Sequence, residues 1–283
     1  MEPDLTTTPI NLDLAVQYGN CVEAAYTVYN NDPTNVNPPV TAYPSFIQAG
    51  YRLMFNIQMT DFDPFNKTPS YYGFIAQSLA APYNYVVAIR GTLTWEEWYD
   101  DFDFFQTPFN SAPNGGKVAR GFYKLFESLL LNDPATGTTT MKLMDTAVKP
   151  SLIFDNPGKT PVVIAGHSLG AALTTMYAAY MAAAGPNGEN LSVYTFASPK
   201  VGDVTFADTY NNLVPANYRI YNKPDLVPDL PVGGFEQVGG GYEIDSKDYP
   251  EIRRSLLCYH SLLTDLYILS NKTVALSSSC VKS

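Results

Sequence analysis

The stretch Gly166-His167-Ser168-Leu169-Gly170 constrains this chain more than any other. The residues before it, Pro161-Val162-Val163-Ile164-Ala165, are apolar and β-branched and read as a short buried strand. Those after it, Ala171 to Met181, are rich in helix formers. A serine on the sharp turn between a buried strand and a helix is presented with its hydroxyl at the end of a sheet. The flanking glycines let strand and helix approach closely. The helix N-terminus favours the negative charge that develops when such a hydroxyl attacks a carbonyl. Strand-turn-helix units of this kind imply an α/β architecture.

The chain has 283 residues, enough for one large α/β domain with a sizeable core. No internal repeat or linker interrupts it, so a single domain over residues 1–283 is expected. Lys and Arg number 17 against 27 Asp and Glu, a net charge of −10. That balance argues against nucleic acid as a partner and against electrostatic docking on anionic lipid. Met1-Glu2-Pro3-Asp4-Leu5 has neither a basic nor an apolar leader segment, so no signal peptide is expected and the compartment stays open. No apolar run reaches the roughly 18–20 residues that span a bilayer. The region from Ala171 to Ala184 comes nearest, and Thr174 and Thr175 interrupt it. Three cysteines, Cys21, Cys258 and Cys280, are too few and too scattered for a disulfide framework. Three reduced, buried thiols are expected, with a single Cys21–Cys280 bridge as the alternative. With no CxxC pair and only two histidines, neither a metal site nor a cofactor is expected.

Periodicity and punctuation divide the chain further. Leu12–Tyr29 reads as an amphipathic helix and Asn30–Pro44 as a loop. Strands are expected at Tyr51–Met59, Tyr71–Ser78 and Tyr85–Arg90. Thr107–Lys117, rich in Pro, Gly and Asn, reads as a mobile loop, and Gly121–Leu131 and Thr140–Lys149 as helices. Beyond the serine turn, strands are expected at Leu191–Ala197 and Tyr218–Asn222 and a Gly-rich hairpin at Val232–Tyr242. A last helix runs from about His260 to Leu269. Antiparallel-looking strands come first and strand-helix alternation later, which predicts one mixed sheet.

A serine hydroxyl needs a general base, usually histidine. Only His167 and His260 exist, and His167 adjoins Ser168 with its side chain directed away, which leaves His260. The acid is expected between them in chain order, on a loop at the C-terminal end of a strand. Asp225 in Asn222-Lys223-Pro224-Asp225 is nearest such an end, and Asp229 is the alternative. One oxyanion donor is the backbone N–H of Leu169. Thr92, at the end of Tyr85-Val86-Val87-Ala88-Ile89-Arg90-Gly91-Thr92, offers an N–H and a hydroxyl as the second.

At this point the residues resemble the class 3, fungal-type lipase family, which also includes feruloyl esterases. The matching segments are Ala88–Thr92, Lys117–Phe122, Gly166–Leu173, Phe196–Asp203 and Arg219–Pro228. The resemblance implies an α/β-hydrolase fold, a central, mostly parallel mixed sheet flanked by helices and carrying a short lid. It implies Ser168, Asp225 and His260 as triad, Thr92 and Leu169 as oxyanion donors, and Asp101 as a brace for Thr92. The lid would map to Leu93–Tyr99, with a possible extension to residue 116. Trp95 and Trp98, the only tryptophans, both fall in it and would meet substrate.

These readings converge on a serine carboxylic-ester hydrolase, a lipase or fatty-acyl esterase acting through an acyl-enzyme. Its expected partner is a lipid ester at a lipid–water interface, with a monomer as the default state. A feruloyl or other carbohydrate-linked esterase is the alternative. A silent hydrolase fold serving as a binding module is a third reading, opposed by the intact set of reactive residues.

Overall fold

The computed structural model describes residues 9–60, 68–81, 83–92, 102–155, 158–185 and 190–282. The first helix, α1 (Leu12–Asn31), is capped by Asn11, whose side-chain oxygen accepts from the Leu14 N–H at 3.1 Å. A short α2 (Ser45–Gly50) leads into β1 (Tyr51–Thr60), β2 (Pro69–Ser78) and β3 (Tyr85–Ile89), an antiparallel meander. A small hairpin follows, β4 (Gln106–Pro108) with β5 (Lys117–Ala119), and then α3 (Arg120–Ser128). Next come β6 (Leu130–Asn132), β7 (Thr139–Lys142) and the single turn α4 (Asp145–Val148). The second half alternates: β8 (Val162–His167), α5 (Leu169–Ala184), β9 (Leu191–Phe196), α6 (Val204–Leu213), β10 (Asn217–Asn222) and β11 (Gly241–Ile244). Two helices, α7 (Leu256–Tyr259) and α8 (Leu262–Leu269), flank His260.

Among the described residues these strands form one 9-stranded sheet in the order β11-β10-β9-β8-β3-β2-β1-β6-β7. From β3 outward through β8, β9, β10 and β11 every pairing is parallel, and from β3 the other way every pairing is antiparallel. Side chains alternate across it as a pleated sheet requires. In β3, Tyr85, Val87 and Ile89 face one core and Val86 and Ala88 the other; in β8, Val162 and Ile164 oppose Val163 and Ala165. The first core is closed by α3, α5 and α6, the second by α1 and α8. Helix α5 is buried nearly all round, which explains its lack of a polar face.

Several expectations are corrected. Thr140–Lys149 is not a helix: Thr140–Lys142 joins the sheet as part of β7, and only Asp145–Val148 turns helically. The helix expected over Gly121–Leu131 stops at Ser128, because Leu130 and Leu131 pair with β1. Val232–Tyr242 makes no hairpin, and its end runs parallel to β10 as β11. Thr107–Lys117 is bound into the body: Phe109 is buried edge-on to Phe206, and the Lys117 N–H donates to Asp203 at 3.0 Å. Helix α6 was not expected, although Asp203 announces it by accepting from the Phe206 N–H at 2.9 Å.

The cysteines also differ from expectation. Cys258 is bonded to Cys280, and Cys21 is a buried free thiol. Neither three thiols nor a Cys21–Cys280 bridge is what forms. Cys21 lies on α1, facing the core beneath β2 and β3, whereas residues 280–282 lie alongside residues 251–253. The backbone carbonyl of Cys280 accepts from Arg253 and that of Glu251 from Lys282, both at 2.8 Å. No helix among the described residues is long and apolar enough to cross a membrane.

Candidate active site

Ser168 sits between β8 and α5 with φ 56° and ψ −125°, a conformation strongly disfavoured for a residue with a side chain. The close packing of the turn enforces it. A Cβ on Gly166 would lie 2.5 Å from the Gly170 carbonyl oxygen, and one on Gly170 would lie 2.3 Å from that of Ile89. Only glycine at both positions lets the strand, the turn and β3 come together.

The structure brings Ser168, His260 and Asp225 into one hydrogen-bonded line. The Ser168 hydroxyl donates to His260 Nε2 at 2.8 Å, and His260 Nδ1 donates to Asp225 Oδ2 at 2.8 Å. All three are buried. Asp225 Oδ1 accepts from the Val227 N–H at 3.1 Å, which fixes the carboxylate plane. Asp229, the alternative acid, is exposed on the following turn and makes no bond to His260. His260 caps α7, with its own N–H bonded to Leu256 O at 3.0 Å. Asn222, at the end of β10, joins the acid loop to the histidine loop: its amide donates to Tyr259 O at 2.8 Å and to the Ser246 hydroxyl at 3.0 Å.

The turn after β3 lies directly beside the serine, since a Cβ on Gly91 would fall 2.9 Å from Ser168 Cβ. The Thr92 hydroxyl oxygen is buried and has no hydrogen-bond partner among the described residues. The Leu169 N–H opens α5, where first-turn donors lack intrahelical acceptors. Leu169 thus adjoins Ser168 along the chain, and Thr92 follows Gly91 in the turn packed against it. Asp101, Trp95, Trp98 and the lid range Leu93–Tyr99 lie outside the described residues.

Three further residues hold this side of the site, and sequence reasoning assigned none of them a role there. Arg90 is almost wholly buried and forms no ion pair with a carboxylate among the described residues. Its guanidinium lies 3.6 Å from the Tyr29 ring centroid and 4.2 Å from that of Tyr72. It donates to Tyr71 O at 2.8 Å and to Gly91 O at 2.7 Å. That second bond polarises the Gly91–Thr92 peptide, making the Thr92 N–H a better donor. Tyr26 accepts from the Gly91 N–H at 2.8 Å and donates to His167 Nδ1 at 2.8 Å. His167 Nε2 in turn donates to His260 O at 2.9 Å. His167 thus ties the loop of His260, through Tyr26, to the turn after β3. Burial, reinforced by neighbouring His260, holds its pKa well below the ordinary value, so it is neutral. The Ala-Ile-Arg-Gly-Thr and Gly-His-Ser patterns contain Arg90 and His167, but their partners come from α1, from β2 and from beyond residue 255, where no local signal pointed.

Behind the acid the polar groups are differently placed. Asp265, on α8, is fully buried, and neither carboxyl oxygen has a hydrogen-bond partner among the described residues. Burial, with the nearby charge of Asp225, pushes its pKa well above the usual carboxylate range. The Thr264 hydroxyl beside it is likewise buried without a partner.

A mixed sheet with a nucleophile turn after its central parallel strand defines an α/β-hydrolase. Residues 86–235 match the family model described as Lipase (class 3), and the chain belongs to that family. It is 29% identical to phospholipase A1-IIalpha of Arabidopsis thaliana over 195 residues, 62% of this chain and 46% of that protein. It is 31% identical to secreted mono- and diacylglycerol lipase 1 of Fusarium solani over 170 residues, 58% of this chain and 46% of that protein. The chain thus spans about half the length of these two relatives. In three dimensions it is similar to the lipase of Rhizomucor miehei in its propeptide complex, with TM-score 0.60 and 20% identity over 92% of this chain and 82% of that one.

Proposed function

We propose that this protein hydrolyses fatty-acyl esters through an acyl-enzyme, with Ser168 as nucleophile. The observation that carries the reading is the continuous line Ser168–His260–Asp225 with both bonds at 2.8 Å. As Ser168 Oγ attacks the ester carbonyl, its proton passes to His260 Nε2, and the carbonyl π electrons move onto the oxygen. The oxyanion lies against Thr92 and the Leu169 N–H. Asp225 keeps the Nδ1–H tautomer of His260 and stabilises the imidazolium. His260 then returns the proton to the departing alcohol. Water, deprotonated by the same ring, attacks the acyl-enzyme and releases the acid.

The surroundings favour a lipid substrate. Leu226 follows Asp225 and is 51% exposed; Leu256 and Leu257 precede His260 at 44% and 58%. Phe105 and Val232 are 75% and 74% exposed, on loops joined by the Gln106 bond to Gly234 O at 2.6 Å. Exposed apolar side chains on the loops that carry Asp225 and His260 suit contact with a lipid surface. The names of the relatives, phospholipases A1 and a mono- and diacylglycerol lipase, support the same class.

The test is hydrolysis of p-nitrophenyl esters from two to sixteen acyl carbons, below and above their solubility limits, for wild type and Ser168→Ala. A maximum at eight carbons or more that rises above the limit and vanishes in the variant is the expected result. A maximum at two to four carbons without that rise makes it a short-chain esterase. Activity surviving in Ser168→Ala overturns the mechanism.

A further inference from the structure

A cavity of about 250 Å³ adjoins the reactive line on its His260 side. It is bounded by His260 and Thr92, by Glu23 and Asn30 from α1, and by Ser277 and Ser279. The Cys258–Cys280 disulfide holds the two serines against α7, so this wall is fixed relative to His260. The volume is several times the roughly 30 Å³ share of one water, room enough for a small polyol. In acyl transfer the imidazole hands its proton to the departing alcohol, so the alcohol half of the ester must lie on the His260 side.

We propose that this cavity binds the alcohol half of the ester and that Glu23 selects alcohols with free hydroxyls, as in mono- and diacylglycerols, over those carrying a phosphate. The inference rests on the triad reading above and specifies its substrate. Glu23 is half-buried, and its carboxyl forms neither an ion pair nor a hydrogen bond among the described residues. Its carboxyl is therefore available to a ligand hydroxyl. The Ser277 and Ser279 hydroxyls bond to each other at 2.8 Å and keep further capacity toward the cavity, as does the Asn30 amide.

The same lining opposes a phosphodiester. Recognition of phosphate uses Arg or Lys, or convergent backbone N–H groups. No lysine or arginine lines the cavity among the described residues, and the one ionisable carboxyl there is an acid. Burial raises the Glu23 pKa to about 7, with no cation drawing it down. Above that pH the group is an anion, and a phosphate brought beside it meets like charge.

The test compares three octanoyl esters in one detergent at pH 8: 1,2-dioctanoylglycerol, dioctanoylphosphatidylcholine and p-nitrophenyl octanoate. The variants are Glu23→Gln, Glu23→Leu and Glu23→Arg. Wild type is expected to show a kcat/KM for dioctanoylglycerol at least tenfold above that for the phospholipid. In Glu23→Leu the loss on dioctanoylglycerol exceeds the loss on p-nitrophenyl octanoate by about tenfold, mainly through KM, with Glu23→Gln between. Glu23→Arg raises the rate on the phospholipid. Equal or faster phospholipid hydrolysis by wild type overturns the proposal. So do losses in Glu23→Leu and Glu23→Gln that are the same on all three esters. Failure of the triad reading is seen separately, as p-nitrophenyl octanoate hydrolysis absent from wild type or surviving in Ser168→Ala.

Discussion

Two buried polar regions flank His260, and they are built by opposite rules. On the oxyanion side, Arg90, Tyr26 and His167 form a chain in which each polar group meets a partner at 2.7–2.9 Å, Arg90 also reaching Ser70 at 3.2 Å. The Thr92 hydroxyl there has no partner among the described residues, and in the proposed reaction an attacked carbonyl oxygen would supply its bond. Behind Asp225, the carboxyl of Asp265 and the hydroxyl of Thr264 are buried with no partner among the described residues. A satisfied network fixes geometry; an unsatisfied carboxyl stays protonated and costs stability. The contrast separates polar groups that fix the geometry around Ser168 from one that burdens the fold.

The sharpest way to break the contrast is Arg90→Met. Removing the cation that polarises the Gly91–Thr92 peptide is expected to lower kcat by roughly 10²–10³-fold, the usual cost of an impaired oxyanion site, with KM changed little. Steady-state kinetics on a soluble ester checks it, and a parallel fall in KM-dependent binding alone would place Arg90 outside catalysis. Tyr26→Phe leaves the ring and removes two hydrogen bonds. About a tenfold drop in kcat/KM is expected, equivalent to about 1.4 kcal/mol.

His167→Asn tests the same network through pH. The folded His167 stays neutral while the unfolded one protonates below about pH 6.5. The unfolded state then binds the extra proton, so this residue's stabilisation is present above pH 6.5 and lost below it, by up to about 1.4 kcal/mol per pH unit. Chemical denaturation between pH 5 and 7 should show wild type losing stability relative to the variant as pH falls. An unchanged difference between the two would mean that His167 is charged in the fold.

The smallest expected effect on turnover belongs to Asp265→Asn. Here the folded acid keeps its proton while the unfolded one ionises above about pH 4. Its contribution is fully present below that pH and declines, by up to about 1.4 kcal/mol per unit, as pH rises toward the folded value. The asparagine variant should gain on wild type between pH 6 and 8 in denaturant titrations, with kcat within about twofold. A destabilised variant would reveal an ionised, functional carboxylate.

The strand-turn-helix unit at Ser168 and the hydrogen-bonded line of Ser168, His260 and Asp225 use residues the sequence singled out, because each rests on a local statement: a strand, a turn, a helix, only two histidines, and an aspartate just past a strand end. Strands β1, β2, β3, β8 and β9 were legible from their apolar runs. What failed depended on distant partners. Thr139–Lys142 has no strand signature stronger than its helical one, and only pairing with β6 decides it. Gly241–Ile244 becomes a strand because β10 offers a free edge. Cys258 and Cys280 meet because the Glu251–Arg253 segment aligns with residues 280–282. Arg90 read as one letter of a motif, and its role rests on rings supplied by α1 and β2.

The backbone at Ser168 has one more consequence, for what the protein can become. A φ of 56° tolerates an unbranched side chain at some strain, while a branch at Cβ makes the conformation a severe outlier. Drift at this position toward threonine would close the turn to folding before it altered the nucleophile. A thiol in place of the hydroxyl keeps an unbranched Cβ and is the sterically open step. The shape of the turn therefore limits the reaction chemistries that mutation at this codon can explore.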